Sequence, residues 1–255
     1  MKRLEGKVAV ITGSNSGVGE ETAKLFAKEG CKVVICARRV EALKKAEDAI
    51  KALGGEVLSL PTDISKKEDV ENLFKTAVEH FGKVDILVNN AGVLDSNLNA
   101  INQYTDEDYV RVSTINEQGT MSCIREVLKN MMPNNQGSII NVASVAGVYG
   151  CGGAVYSATK GAIIAVTKHT AMRFTGTGIR CNAVCPGTII TPMTTTLDQK
   201  SLDMGMMGAM MKHADIAHAS PCMPTDVANV LLFLASDESR CINGQAIVTD
   251  FGADL

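Results

Sequence analysis

The chain has no run of like charge, no long apolar stretch and no cluster of metal-ligating side chains, and each absence narrows what its 255 residues can do. Lys and Arg total 25 against 28 Asp and Glu, a formal charge of −3, and the basic residues form no runs. Neither nucleic acid nor an anionic lipid surface is therefore an expected partner. No apolar stretch approaches the ~20 residues that a membrane helix needs. Met1-Lys2-Arg3-Leu4-Glu5-Gly6 runs straight into a strand pattern without the apolar core of a signal peptide. The expectation is a cytoplasmic protein that does not engage a membrane.

The eight cysteines (Cys31, Cys36, Cys123, Cys151, Cys181, Cys185, Cys222 and Cys241) include no C-x-x-C pair and have no histidine at ligand spacing. His80, His169, His213 and His218 are scattered as well. Free, reduced and mostly packed thiols are expected, and no metal site. Internal repeats and Pro/Ser-rich linkers are also missing. Residues 1–255 are expected to form one α/β domain with a large core.

What is present is a regular alternation of strand and helix patterns. Apolar strands are expected at 8–11, 32–36, 57–60, 86–88, 138–142, 179–184 and 246–248. Helices fall between them at 17–28, 40–53, about 66–81, about 105–132, 154–174 and 225–235. The fourth helical pattern stops before Pro133. Continuous apolar strands separated by helices indicate a parallel sheet of about seven strands, doubly wound, with helices on both faces. Only 188–224 breaks the rhythm. It carries seven methionines, among them Met193, and reads either as core packing or as a flexible apolar flap after a strand's carboxyl end.

Thr12-Gly13-Ser14-Asn15-Ser16-Gly17-Val18-Gly19 joins the first strand to the first helix. Gly13 permits a tight turn, Gly17 lets backbone approach a pyrophosphate, and Gly19 lets helix and strand pack closely. The second strand ends in Ala37-Arg38-Arg39, where an NAD-binding unit needs a carboxylate for the ribose hydroxyls. Arginine pairs with a 2′-phosphate that an aspartate would repel, so NADP(H) is favoured over NAD(H). The alternative is that one or both arginines are solvated charges at a helix entry. Asp63-Ile64 stands where a contact to the adenine edge is expected, or Asp63 caps the following turn.

Tyr156 and Lys160 are one helical turn apart, which places the ammonium on the phenol's side of the helix. A phenol ionises near pH 10, and a cation beside it is expected to lower that value toward the working range of a general acid/base. Thr12 to Gly19, Asn89-Asn90-Ala91-Gly92, Ser144, Tyr156-x-x-x-Lys160 and Pro186-Gly187-x-x-x-Thr191 together resemble a short-chain dehydrogenase/reductase of the compact, single-domain type. The resemblance spans roughly 6–252 and implies a Rossmann-like fold for one dinucleotide-binding and catalytic domain. It implies Asn116, Ser144, Tyr156 and Lys160 as catalytic residues, with Asn116 holding a water in a proton relay to lysine. By residue chemistry alone, Asn116 could equally satisfy backbone in a helix kink, and Asn89 reads as a tie between strands. Asn90, Ala91, Gly92, Pro186, Gly187, Ile189 and Thr191 join the cofactor set, together with Tyr156 and Lys160.

The substrate wall is expected at 93–98, at 145–153 and in the methionine-rich flap, with Val145, Tyr149 and Met193 as substrate contacts. Val148 and Leu197 are apolar too, and no arginine pair is on hand to grip a carboxylate or phosphate. This favours a bulky hydrophobic secondary alcohol or ketone, with a hydroxysteroid or bile acid first and a 3-oxoacyl thioester second. A non-catalytic NADP(H)-binding sensor would have lost Tyr156, Lys160 or Ser144, and all are present. The helices at 105–132 and 154–174 resemble those that pair in family tetramers, so a homotetramer or homodimer is expected.

Overall fold

The computed structural model describes residues 2–198, 200–214 and 220–254. The strands are β1 (Val8–Thr12), β2 (Lys32–Ala37), β3 (Val57–Pro61), β4 (Ile86–Asn89), β5 (Gln136–Val142), β6 (Gly178–Pro186) and β7 (Ala246–Thr249). They form one sheet in the order β3-β2-β1-β4-β5-β6-β7, and every pairing is parallel. The main helices are α1 (Gly17–Lys28), α2 (Val40–Ala52), α3 (Lys67–Phe81), α4 (Asp106–Ser113), α5 (Thr120–Asn134), α6 (Ala146–Tyr149) and α7 (Ala154–Arg173). After β6 come α8 (Pro192–Thr195), α9 (Met204–His213) and α10 (Pro224–Ala235).

Strands β1 and β4 at the centre are buried at every position because both sheet faces are covered. Ala9, Ile11, Val33, Ile35, Val88 and Ile140 pack with residues of α1, α2 and α10. Their neighbours of opposite parity, Val10, Val34, Leu87 and Ile139, pack with α3 and α5. This strict alternation is the two-residue period of extended backbone, and each fully buried Leu, Ile or Val contributes roughly 1.5–3 kcal/mol. All eight cysteines are free, and six of them are buried. Burial pushes the Cys36 and Cys181 thiols up to about 12, so they act as small hydrophobes rather than nucleophiles. Among the described residues, no helix is long and apolar enough to cross a membrane.

The helical pattern expected at 105–132 is not one regular helix. A π-helical segment, Thr114–Gly119, separates α4 from α5. The segment widens the turn, and it carries Asn116 inward. Pro133 does not end the helix either. It falls in the last turn, and Asn135 in the left-handed conformation ends the element. The expected flap is partly helical, with α8 and α9 inside it. Residues 199 and 215–219, including His218, lie outside the described residues.

Strand order reverses between β1 and β4, which opens a crevice at their carboxyl ends. One buried hydroxyl locks the two strand ends together. Thr12 Oγ1 accepts from the backbone N–H groups of Asn90 and Ala91, both at 3.0 Å. The Asn90 side chain returns the tie, donating to the carbonyls of Thr12 and Gly13 at 3.0 and 3.1 Å. Gly13 has φ +66°, and a Cβ there would lie 2.8 Å from Ala91 Cα, so the approach requires glycine. Thr12→Val keeps the shape but orphans two amides. It is expected to cost roughly 1–3 kcal/mol in chemical denaturation. An unchanged unfolding midpoint would show that the tie is dispensable.

Candidate active site

A cavity of about 720 Å³ lies along the carboxyl edge of the sheet. Gly13, Gly17, Arg38, Arg39 and Asp63 border one end, and Ser144, Tyr156, Lys160 and Met193 the other. Asn15, Ser16, Val18, Ile64, Asn90, Ala91, Gly92, Pro186, Gly187, Ile189 and Thr191 also line it.

At the first end, the N-cap of α1 is Ser16, whose side chain caps nothing. The first-turn amides of α1 therefore face the cavity without a side-chain acceptor, a setting suited to a phosphate. Arg39 turns back over this turn, donating to Ser16 Oγ at 3.4 Å. With its amide oxygen toward the guanidinium, Asn15 accepts from Arg39 Nε at 3.0 Å and Nη2 at 2.8 Å. Ser14 does not face the cavity. Its hydroxyl is buried between the strands, donating to the Ile11 carbonyl at 2.9 Å and accepting from Cys36 N–H at 2.9 Å. Gly19 is also outside the lining, packed on the Gly13 carbonyl, which is the helix–strand contact expected of it. Asp63 both borders the cavity and closes a turn, accepting from Ser65 N–H and Oγ at 3.1 and 2.7 Å.

At the other end, α7 supplies the phenol and the ammonium. Its buried stripe (Val155, Thr159, Lys160, Ile163, Thr167, Thr170 and Ala171) follows helical spacing. The threonines in it bond to carbonyls about one turn back, as Thr167 does to Ile163 at 2.7 Å. Lys160 is 4% exposed and its Nζ donates to the Val142 carbonyl, the last of β5, at 2.7 Å. Burial holds this ammonium down at about 8. It lies 5.5 Å from the centre of the Tyr156 ring. The expected lowering of the phenol is not what the free protein shows. Burial pushes Tyr156 up to about 12, the neighbouring Ser144 hydroxyl opposes the rise, and Asp95 adds to it. Ser144 Oγ meanwhile accepts from Ala146 N–H at 3.1 Å.

Asn116 is outside the cavity wall. Its amide accepts from Val93 N–H at 2.8 Å and donates to the Val93 carbonyl at 2.9 Å and to Thr159 Oγ1 at 3.2 Å. It nevertheless stands beside the lysine. A Cβ on Gly92 would be 3.3 Å from Asn116 Oδ1 and 3.6 Å from Lys160 Nζ, so glycine keeps the space between them open. Of the three expected substrate contacts, only Met193 reaches the cavity. Val145 is buried at a strand end, where its N–H donates to the Pro186 carbonyl at 3.0 Å. The short α6 turns Tyr149 outward, as it does Val148. Arg111 and Ile115 line the cavity and were not anticipated; the π-helical segment placing Ile115 there leaves no trace in the hydrophobic pattern.

Lys160 makes a sign-definite contribution to stability. Its ammonium is held near 8 when folded, against 10.5 ordinarily, so the unfolded chain binds the extra proton between those values. Stability from this group therefore rises as pH climbs from 8 to 10.5, and below 8 the buried charge costs on the order of 3 kcal/mol. Lys160→Met is expected to gain most on the wild type near pH 7, with the advantage fading by pH 10.5. A pH-independent difference in denaturation midpoints would contradict the burial argument.

The family model described as enoyl-(acyl carrier protein) reductase matches residues 13–254. The chain is 36% identical to the 3-oxoacyl-(acyl-carrier-protein) reductase FabG of Thermotoga maritima, over 98% of each chain. It is 35% identical to 3beta-hydroxysteroid dehydrogenase 2 of Eggerthella lenta, over 98% of this chain and 95% of that one. Among solved structures, an actinorhodin polyketide ketoreductase with NADPH superposes with a TM-score of 0.89 at 31% identity, over 97% of each chain. With a parallel seven-stranded sheet and full-length relatives on this scale, the chain belongs to the short-chain dehydrogenase/reductase family of oxidoreductases.

Proposed function

We propose that the protein interconverts a secondary alcohol and a ketone on a bulky hydrophobic substrate, a hydroxysteroid or bile acid, using NADP(H). The observation that carries the alcohol–ketone chemistry is Tyr156 and Ser144 on one cavity wall, with the Lys160 ammonium buried behind them.

The residues present fit a nicotinamide dinucleotide: the amides opening α1 suit its pyrophosphate, and Arg38 and Arg39 suit a 2′-phosphate. Lys160 and Tyr156 suit the ribose beside the nicotinamide, and Thr191 its carboxamide. When bound, the cofactor supplies or accepts hydride. In reduction, Tyr156 gives its proton to the developing alkoxide, and in oxidation the phenolate takes it back. Ser144 holds the substrate oxygen by hydrogen bond. The Lys160 ammonium stabilises the phenolate, and the gap at Gly92 leaves room to return the proton past Asn116.

Leu94, Ile189, Met193 and Leu197 make the substrate wall apolar, which supports a steroid-sized ligand, as does the hydroxysteroid dehydrogenase relative. A 3-oxoacyl thioester is the second reading, favoured by the Thermotoga maritima relative. Exposed Tyr109, Val110 and Met121 on α4 and α5, with Met172 on α7, support a homotetramer or homodimer built through these helices. The test is NADPH and NADH consumption with steroid ketones and with an acetoacetyl thioester. Turnover of the steroid ketone with NADPH is expected, and activity confined to the thioester would overturn the substrate assignment. Replacing Arg38 with Asp and Arg39 with Ser together is expected to cut kcat/KM for NADPH by roughly tenfold to a hundredfold. An undiminished NADPH preference would overturn the nucleotide assignment.

A further inference from the structure

A carboxylate stands at the N-terminus of the helix that carries Tyr156. Asp95, on the loop after β4, borders the cavity yet is only 2% exposed. Its Oδ2 accepts from the Tyr156 backbone N–H at 3.3 Å, and its Oδ1 has no hydrogen-bond partner among the described residues. Arg111, the cation on the adjoining α4, is committed elsewhere: it donates to Asp108 at 2.6 Å and to the Leu94 carbonyl at 2.8 Å.

The N-cap of α7 is Gly153, which has no side chain to offer the first-turn amides. A Cβ built there would fall 2.1 Å from Asp95 Oδ2 and 2.2 Å from Oδ1, so the missing side chain makes the space that the carboxylate fills. The same loop also takes the Ala154 N–H, through the Asn99 carbonyl at 2.9 Å. The start of α7 is thus capped from a different segment of the chain, and the phenol's backbone is tied directly to the anion.

We propose that Asp95 is a positioning residue for Tyr156: it caps α7 in place of Gly153, and its negative charge favours the phenol over the phenolate. The proposal rests on the reading of Tyr156 as the proton donor. Its consequence is a site set for carbonyl reduction at neutral pH, with alcohol oxidation deferred to alkaline pH. Among the described residues, the ionisable groups around the phenol are few. Lys160 is on its own helix, with Cys185 of β6 beyond it. Asp95 is on the β4–α4 loop, with Asp108 and Arg111 of α4 behind it. Burial raises the phenol most, Ser144 opposes the rise and Asp95 adds to it, so removing the Asp95 charge moves the working range to lower pH. Burial raises the Asp95 carboxyl above its ordinary value, the Tyr156 amide works against this, and Asp108 adds to it.

Asp95→Asn keeps the size and the acceptor for Tyr156 N–H and removes the charge. The measurement is the pH profile of alcohol oxidation and of ketone reduction for both proteins, with NADP(H) binding and Tm recorded alongside. The acid limb of oxidation is expected to move to lower pH, raising the rate on that limb by roughly threefold or more. The basic limb of reduction moves the same way, and cofactor affinity stays unchanged. A change in kcat or Tm with both limbs in place is the mark of a merely structural cap, and it would overturn the proposal. Gly153→Ala, whose added Cβ displaces the carboxylate, is the second variant and is expected to shift the limbs in the same direction. Immobile limbs in that variant count equally against Asp95. A wild-type enzyme that turns over without any such limb would remove the reading of Tyr156 as the donor, and the proposal with it. A limb that is present but unmoved by both variants removes the proposal alone.

Discussion

A buried ammonium with no carboxylate beside it is expensive to fold around, and Lys160 is such a group among the described residues. Its hydrogen-bond acceptor is the Val142 carbonyl at the end of β5, so β5 and α7 must be held in fixed relation. A buried polar row does this. Asn89 of β4 donates to Asn141 of β5 at 2.9 Å, and Asn141 donates to Thr167 of α7 at 2.8 Å. The row joins two strands and α7 beneath the cavity, where a mismatched polar group would be most costly. The Thr12 hydroxyl fixes β4 to β1 in the same manner. The site stands on rigid elements, and the charge that makes it chemically useful is the one that taxes the fold.

The two halves of the cavity use one device twice. Each is opened by a helix whose N-cap side chain does not cap it: Ser16 for α1 and Gly153 for α7. On α1 the free amides face the space suited to phosphates, and on α7 they are taken by Asp95 and Asn99. The difference lies in what comes near. A glycine-rich turn leaves α1 open to solvent, whereas the loop after β4 folds down over α7.

The layer order was legible because its signals are local and periodic. Strands buried on both faces read as unbroken apolar runs, and the Gly-rich turn and Asn90 run sit at strand ends where the topology must place them, with the Tyr156-x-x-x-Lys160 pair one turn apart on a helix. The departures came from interactions without a sequence period. The π-helical segment at Thr114–Gly119 leaves the hydrophobic pattern unbroken, so the 105–132 pattern reads as continuous helix. Ser14 resembles a phosphate contact, but the Cys36 backbone claims it. Val145 is buried, its N–H bonded to the Pro186 carbonyl, and one-turn α6 turns Tyr149 outward, so neither reaches the cavity. Arg111 and Asp95 come into place through contacts between distant segments. Asp95 falls in the 93–98 segment expected to line the cavity, but its capping of α7 has no local signal beyond Gly153.

The central claim is that the Tyr156 phenol, poised between the Lys160 ammonium and the cavity, carries the proton of carbonyl reduction. Single-turnover reduction of a ketone by NADPH in Tyr156→Phe, with NADPH affinity measured in parallel, tests it most directly. The account predicts a fall of about 10²- to 10⁴-fold in the chemical step with cofactor binding retained. Reduction at the wild-type rate would contradict it.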